Sequence, residues 1–143
     1  MQIELDNDYE FAVEYGIYVT DTEQSLAFYR DLIGCEVVGQ FSMPGIMRAT
    51  ALRLGGSCLK LIEYEAEIEA KNPGGKAIGF RHITFRAGDV DAAVAACEQA
   101  GYEIDAPPVV REEIPSQMGA CAYAFVRDPD GNLVQLCQGS PWV

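Results

Sequence analysis

The sequence predicts an α+β fold of two βαβββ modules forming an incomplete barrel around a shared cleft. Three observations predict it. First, two stretches repeat each other: Glu14-Tyr15-Gly16-Ile17-Tyr18-Val19-Thr20-Asp21 and Arg81-His82-Ile83-Thr84-Phe85-Arg86-Ala87-Gly88-Asp89 each run from an alternating strand into an Asp. Second, the helices that follow end alike, in Leu32-Ile33-Gly34 and Gln99-Ala100-Gly101, so the offset of 89 − 21 = 68 at the Asp is still 101 − 34 = 67 at the Gly. Third, each helix is followed by strand-like segments separated by turn residues. Such a repeat is one supersecondary unit used twice. One unit cannot cover both faces of its small sheet; two packed together can, with helices outside and inward strand residues lining the cleft.

Residues 1–12 are acidic and without period, a tail or an added edge strand. The first module spans about 13–64. Tyr15, Ile17 and Val19 share one face of a half-buried strand; Glu14, Gly16 and Tyr18 share the other. Asp21 is placed to cap a helix with Gln24 closing a capping box, Leu26, Tyr29 and Ile33 follow at helical spacing, and Gly34 suits its left-handed end. Strands are expected over Glu36 to Phe41, Met47 to Leu54 and Cys58 to Tyr64, the last two joined at Gly55-Gly56. Residues 65–79 read as the linker between modules.

The second module, about 80–138, keeps the order. Phe80 to Arg86 is a strand with Ile83, Phe85 and Ala87 on its apolar face. Asp89 to Ala100 is a helix with Val90, Ala93, Val94 and Cys97 on one stripe. Tyr102 to Asp105 is a short strand ended by Pro107-Pro108. Residues 109–118 form a loop placed to lie over a pocket, whose volume depends on this loop and on 41–48. Gly119 to Arg127 and Leu133 to Gln138 make a hairpin around Asp128-Pro129-Asp130-Gly131, where Pro presets φ and Gly accepts a positive one. With 143 residues this is one domain of two half-domains.

Composition narrows the function classes. The chain is 49 % apolar, as a packed globule is. No apolar run approaches the ~18 residues of a membrane helix, and the acidic start is no signal peptide, so a cytoplasmic protein that makes no use of a membrane is expected. A net charge of −12 with scattered Lys and Arg repels phosphate backbones, which argues against nucleic acid. Five cysteines, none spaced as CxxC, argue against a disulfide framework or zinc knuckle and for small core residues in a reducing compartment. There is no phosphate-binding glycine loop, serine nucleophile elbow or dinucleotide fingerprint.

The segments Val19-Thr20-Asp21 with Ser25-Leu26-Ala27-Phe28-Tyr29-Arg30-Asp31-Leu32-Ile33-Gly34, Asp128-Pro129-Asp130-Gly131-Asn132-Leu133-Val134-Gln135-Leu136, and the strand His82-Ile83-Thr84-Phe85 carry a resemblance. Over roughly residues 13–138 the chain resembles the vicinal oxygen chelate superfamily, also called the glyoxalase/bleomycin-resistance/dioxygenase fold. The resemblance is specific for fold and weak for reaction, because one fold hosts many chemistries. It implies metal ligands at the first and last strand of each repeat, positions held here by Glu14, Lys60, His82 and Gln135. The family commonly has His at the first of these points and Glu at the last. Here there is one His and one carboxylate; Gln135 offers a neutral carbonyl oxygen, and a protonated Lys60 cannot ligate a metal.

Each candidate has a plain structural reading beside the functional one. His82, the one His in the chain, is expected to line the cleft as a base or a metal ligand; a lone His is more often structural. Glu14 with Lys60 is either a charge pair filling a vacated metal site or an acid–base pair with Glu14 as general base. Gln135 orients a substrate carbonyl or bonds His82. Tyr18 and Arg86 are repeat mates facing inward; Arg86 suits a carboxylate or enolate oxygen, or else a salt bridge. Tyr64, Tyr123 and Phe125 suit an apolar wall for an aromatic ligand, or the core. Cys137 shares the face of Gln135 and lacks the setting of a catalytic thiol.

The leading expectation is an isomerase- or lyase-type enzyme moving a proton on a small carbonyl or enol(ate) substrate. Glu14, His82 and Lys60 are its catalytic residues, and Tyr18, Arg86, Gln135 and Tyr123 bind substrate; it requires no cofactor. One alternative is a metal-free protein that binds a small molecule, an antibiotic or another aromatic ligand. The other is a divalent-metal lyase, epimerase or dioxygenase using His82, Gln135 and Glu14. By resemblance a homodimer is expected.

Overall fold

The computed structural model describes residues 11, 13–68, 79–111 and 121–139. The chain divides into two compact units, Met1–Ala70 and Lys71–Val143. Each is an open four-stranded sheet with a helix, in the order βαβββ, so the molecule is α+β.

In the first unit the strands are β1 (Val13–Tyr18), β2 (Val37–Met43), β3 (Met47–Leu54) and β4 (Ser57–Tyr64). They lie in the order β1-β4-β3-β2, with β1 parallel to β4 and the other pairs antiparallel. The helix α1 (Thr22–Leu26) widens into a π-helical turn over Ala27–Leu32, where the Ile33 amide donates to the Phe28 carbonyl. Asp21 caps α1 as its spacing predicts: its Oδ1 accepts from the Gln24 amide at 3.1 Å. Leu26, Phe28 and Tyr29 are buried on the sheet side, with Leu52, Leu59 and Leu61. Glu63, next on that face of β4, accepts from the Thr22 amide at 2.8 Å and from its hydroxyl, which fixes the start of the helix to the sheet.

The second unit repeats this with β5 (His82–Arg86), α2 (Val90–Gln99), β6 (Ile104–Arg111), β7 (Cys121–Arg127) and β8 (Leu133–Gly139) in the order β5-β8-β7-β6. Asp89 caps α2, accepting from the Ala92 amide at 2.9 Å. Val90, Val94 and Cys97 are buried against the sheet face that also buries Ala124, Val126, Val134 and Leu136. Gly101, with φ +86°, ends α2, and the Tyr102 amide returns to the Cys97 carbonyl. The helix start is again pinned from the last strand: the Val90 amide donates to Gln138 Oε1 at 3.0 Å. Thr22 and Val90 are 68 apart (90 − 22 = 68), Glu63 and Gln138 75 apart (138 − 63 = 75), so the last strands of the two modules have an offset of their own.

Some expectations are corrected. Pro107-Pro108 do not end a strand at Asp105; β6 runs through them to Arg111. It is an edge strand paired with β7 alone, and the register shifts between Ala106 and Val109, where missing amide donors cost least. Residues 109–111, expected in a loop, therefore belong to β6; the rest of that expected loop, 112–118, lies outside the described residues, as do most of 1–12 and of the linker at 65–79. β5 starts at His82 rather than Phe80. The apolar face of β1 is not evenly half-buried: Val19 beyond its end is buried, while Tyr15 is 40 % exposed, because β1 is the edge strand of its sheet. No helix among the described residues is long and apolar enough to cross a membrane.

Candidate functional site

In each unit the helix takes one sheet face, and alternation sends the other set of side chains to the opposite face, open in that the unit's own helix does not cover it, although Ala49, Cys58, Cys121 and Cys137 on it are buried. On the first sheet that face carries Glu14, Gly16 and Tyr18 from β1 and Lys60, Ile62 and Tyr64 from β4, because β1 and β4 pair in parallel with Gly16 opposite Lys60. On the second it carries His82, Thr84 and Arg86 from β5 and Gln135 and Cys137 from β8, with Thr84 opposite Gln135. Gly16 and Thr84 are repeat mates (84 − 16 = 68), so the registers make Lys60 and Gln135 mates as well. Their separation, 135 − 60 = 75, is that of Glu63 and Gln138.

Lys60 Nζ lies 3.1 Å from Glu14 Oε2. The side chains are 35 % and 50 % exposed, so the pair contributes at most about 1 kcal/mol to stability. Gly16 stands between Glu14 and Tyr18 on β1; a Cβ there would come within 3.3 Å of Ile62 Cδ1. Tyr18 is 57 % exposed and meets Tyr64 edge-to-face at 5.6 Å.

On the second sheet Arg81 Nη1 is 3.0 Å from His82 Nδ1. A guanidinium can only donate, so Nδ1 accepts and the imidazole proton sits on Nε2. Desolvation, and then the Arg81 charge, hold His82 below its ordinary value of 6.5, which favours the neutral ring. The ring packs edge-to-face on Phe125 at 5.4 Å, and Phe125 in turn touches Tyr123 at 6.0 Å and lies under Arg81 at 4.8 Å. Gln135 Oε1 accepts from the Thr84 hydroxyl at 2.8 Å, so its partner is Thr84, the residue opposite it, and not His82, which is opposite Leu133. Burial pushes the Cys137 thiol up, with Arg86 opposing; its Sγ donates to the Gly139 carbonyl at 3.6 Å, the setting of a protonated thiol.

The structure thus brings Glu14 to Lys60 and Tyr18 to Tyr64 on one sheet. On the other it gathers His82, Tyr123 and Phe125, and sets Arg86 beside Cys137. Of the aromatic residues expected in a wall, Tyr64 meets Tyr18 on the first sheet, and Tyr123 meets Phe125 on the second. Arg81 and Thr84, which set the His82 proton and the Gln135 carbonyl, were not singled out from the sequence. The alternation that selects His82 and Arg86 also selects Thr84; nothing local marks Arg81, which precedes the strand.

The residues present do not suit the divalent cation that the resemblance implies. Among the described residues no three His, Cys, Asp or Glu side chains come together in a group that could hold a metal. The Glu14 carboxylate already faces an ammonium, and the second sheet offers one imidazole and one amide.

Sheet order, parallel first and last strands and a helix pinned from the last strand define a protein of paired βαβββ modules. The family model for the Glyoxalase/Bleomycin resistance protein/Dioxygenase superfamily matches residues 12–136, and the chain belongs to that superfamily. It is 29 % identical over 140 residues to a probable lactoylglutathione lyase of Synechocystis sp., covering 91 % of this chain and 96 % of that protein. It is 27 % identical over 124 residues to a lactoylglutathione lyase of Salmonella typhimurium, covering 84 % and 86 %. A solved glyoxalase family protein from Bacillus cereus superimposes with a TM-score of 0.75 over 96 % of this chain and 99 % of that one; at 17 % identity this shows the fold alone. The similarity supports a lyase-type enzyme at this coarse level.

Proposed function

We propose that the chain is a lyase- or isomerase-type enzyme that moves a proton on a small carbonyl or enol(ate) substrate, with both modules serving one catalytic domain. The observation that carries this reading is the Glu14–Lys60 pair at 3.1 Å on the open face of the first sheet. A half-exposed carboxylate beside an ammonium supplies a base and an electrostatic partner for the oxyanion that forms when a carbon next to a carbonyl loses its proton. Further residues of this proposed reaction come from the second sheet. With Nδ1 taken by Arg81, His82 presents Nε2–H, which suits donation to an oxygen better than proton abstraction. Arg86 suits a substrate carboxylate or enolate oxygen, and Gln135, held by Thr84, Tyr18 and Tyr123 complete the binding set. The relatives named lactoylglutathione lyase support the reaction class.

Purified protein is assayed with lactoylglutathione, the compound those relatives are named for, and with small hydroxy- and keto-carbonyl compounds. Glu14→Gln is expected to lower kcat about 10²–10⁴-fold, the range of general acid–base catalysis, and His82→Ala to lower it less. Turnover intact in both variants would remove this reading.

A second reading is favoured by one observation: large apolar side chains, among them Tyr18, Phe41, Met43 and Tyr64, are exposed on the open face of the first sheet. That suits a protein that binds an aromatic small molecule without converting it. Tight binding with no product over long incubation would select it. A cytoplasmic homodimer belongs to either reading, and sedimentation tests the dimer.

A further inference from the structure

We infer that the ammonium of Lys60 is the resident cation of the first sheet's open face, and that it excludes a divalent metal from Glu14. This deepens the proposed function, since it concerns the same pair, but its test reads cation binding and can fail separately. The strand registers make Lys60 the counterpart of Gln135, so one module offers an amide oxygen where the other offers a positive charge. The charge lies 3.1 Å from Glu14 Oε2. A divalent ion on that carboxylate would sit within a few ångströms of the ammonium, in like-charge repulsion. An ammonium carries three donors, of which Glu14 engages one. It thereby supplies, as a fixed single charge, the polarising role toward a ligand's carbonyl or anionic oxygen that a metal would otherwise fill. Ligands of this face are therefore those with such an oxygen and no need of a bridging metal.

The test titrates the whole protein with Mn²⁺ alone and follows water-proton relaxation, with circular dichroism confirming the fold of each variant. Net charge of −12 draws Mn²⁺ weakly everywhere, so only binding that depends on Glu14 counts. Wild-type protein is expected to show none. Lys60→Glu is expected to raise affinity about tenfold or more, and Glu14→Gln in that background to abolish the gain. Lys60→Gln, which copies the other module and only removes the charge, is expected to gain less. The inference is overturned if wild-type protein binds one Mn²⁺ that Glu14→Gln releases, or if neither folded Lys60 variant binds more tightly than wild type. A Mn²⁺ result as expected, with no turnover of any carbonyl substrate, would leave this inference standing and sink the proposed reaction alone.

Discussion

Single side chains in this protein are set by what their strand neighbours leave open. Thr84 decides where the Gln135 carbonyl points, and Arg81 decides which nitrogen of His82 holds the proton. Glu63 shows the same logic in a structural role. Its burial pushes the carboxyl up, but donation from the Thr22 hydroxyl and amide and from Arg48, 3.0 Å away, outweighs that and holds it below the ordinary 4.5. A depressed carboxylate contributes stability that is present above its unfolded value and lost as pH falls through its folded one. Thermal unfolding followed from pH 7 to pH 3 is therefore expected to show a loss of stability below about pH 4.5 that Glu63→Gln reduces. The same variant costs about 1 kcal/mol at pH 7, where the charge-assisted bonds are strongest. An unchanged acid limb in Glu63→Gln would contradict this account of the helix start.

The helices and most strands were legible in the sequence because their signals are local. Caps at Asp21 and Asp89, left-handed glycines at Gly34 and Gly101, and the Asp-Pro-Asp-Gly turn act within a few residues. Gly34 and Gly101 have φ of +92° and +86°, and nothing stands within 4 Å of where their Cβ atoms would be. Replacing either with Ala therefore meets no clash and costs only backbone strain, about 1–2 kcal/mol each by chemical denaturation. A cost near zero would show that the helix end relaxes out of the left-handed region. What was not legible is what depends on pairing. The path of β6 through Pro107-Pro108 is permitted by its place at a sheet edge, which local composition does not encode. The exposure of Tyr15 follows from the same cause on β1. Lys60 could be placed only loosely by sequence, since the offset drifts from 68 at the helix start to 75 at the last strand; the register opposite Gly16 fixes it.

At the scale of the molecule, the superfamily explains why one chain holds two like sheets, and the residues explain why they differ. The repeat has been kept where it carries the fold: both helices start on a side chain from the last strand and both end on a glycine. It has diverged on the open faces, where Glu14 stands for His82, Tyr18 for Arg86 and Lys60 for Gln135. Fold positions tolerate few chemistries, whereas site positions are free to specialise. The proposed role of Glu14 is to remove a proton from carbon, and solvent-hydrogen exchange reads that step. Substrate incubated with protein in deuterium oxide is followed by proton NMR at the carbon next to the carbonyl. Deuterium uptake is expected with wild-type protein, and a loss of about 10²-fold or more with Glu14→Gln. Exchange at the wild-type rate in Glu14→Gln would contradict it.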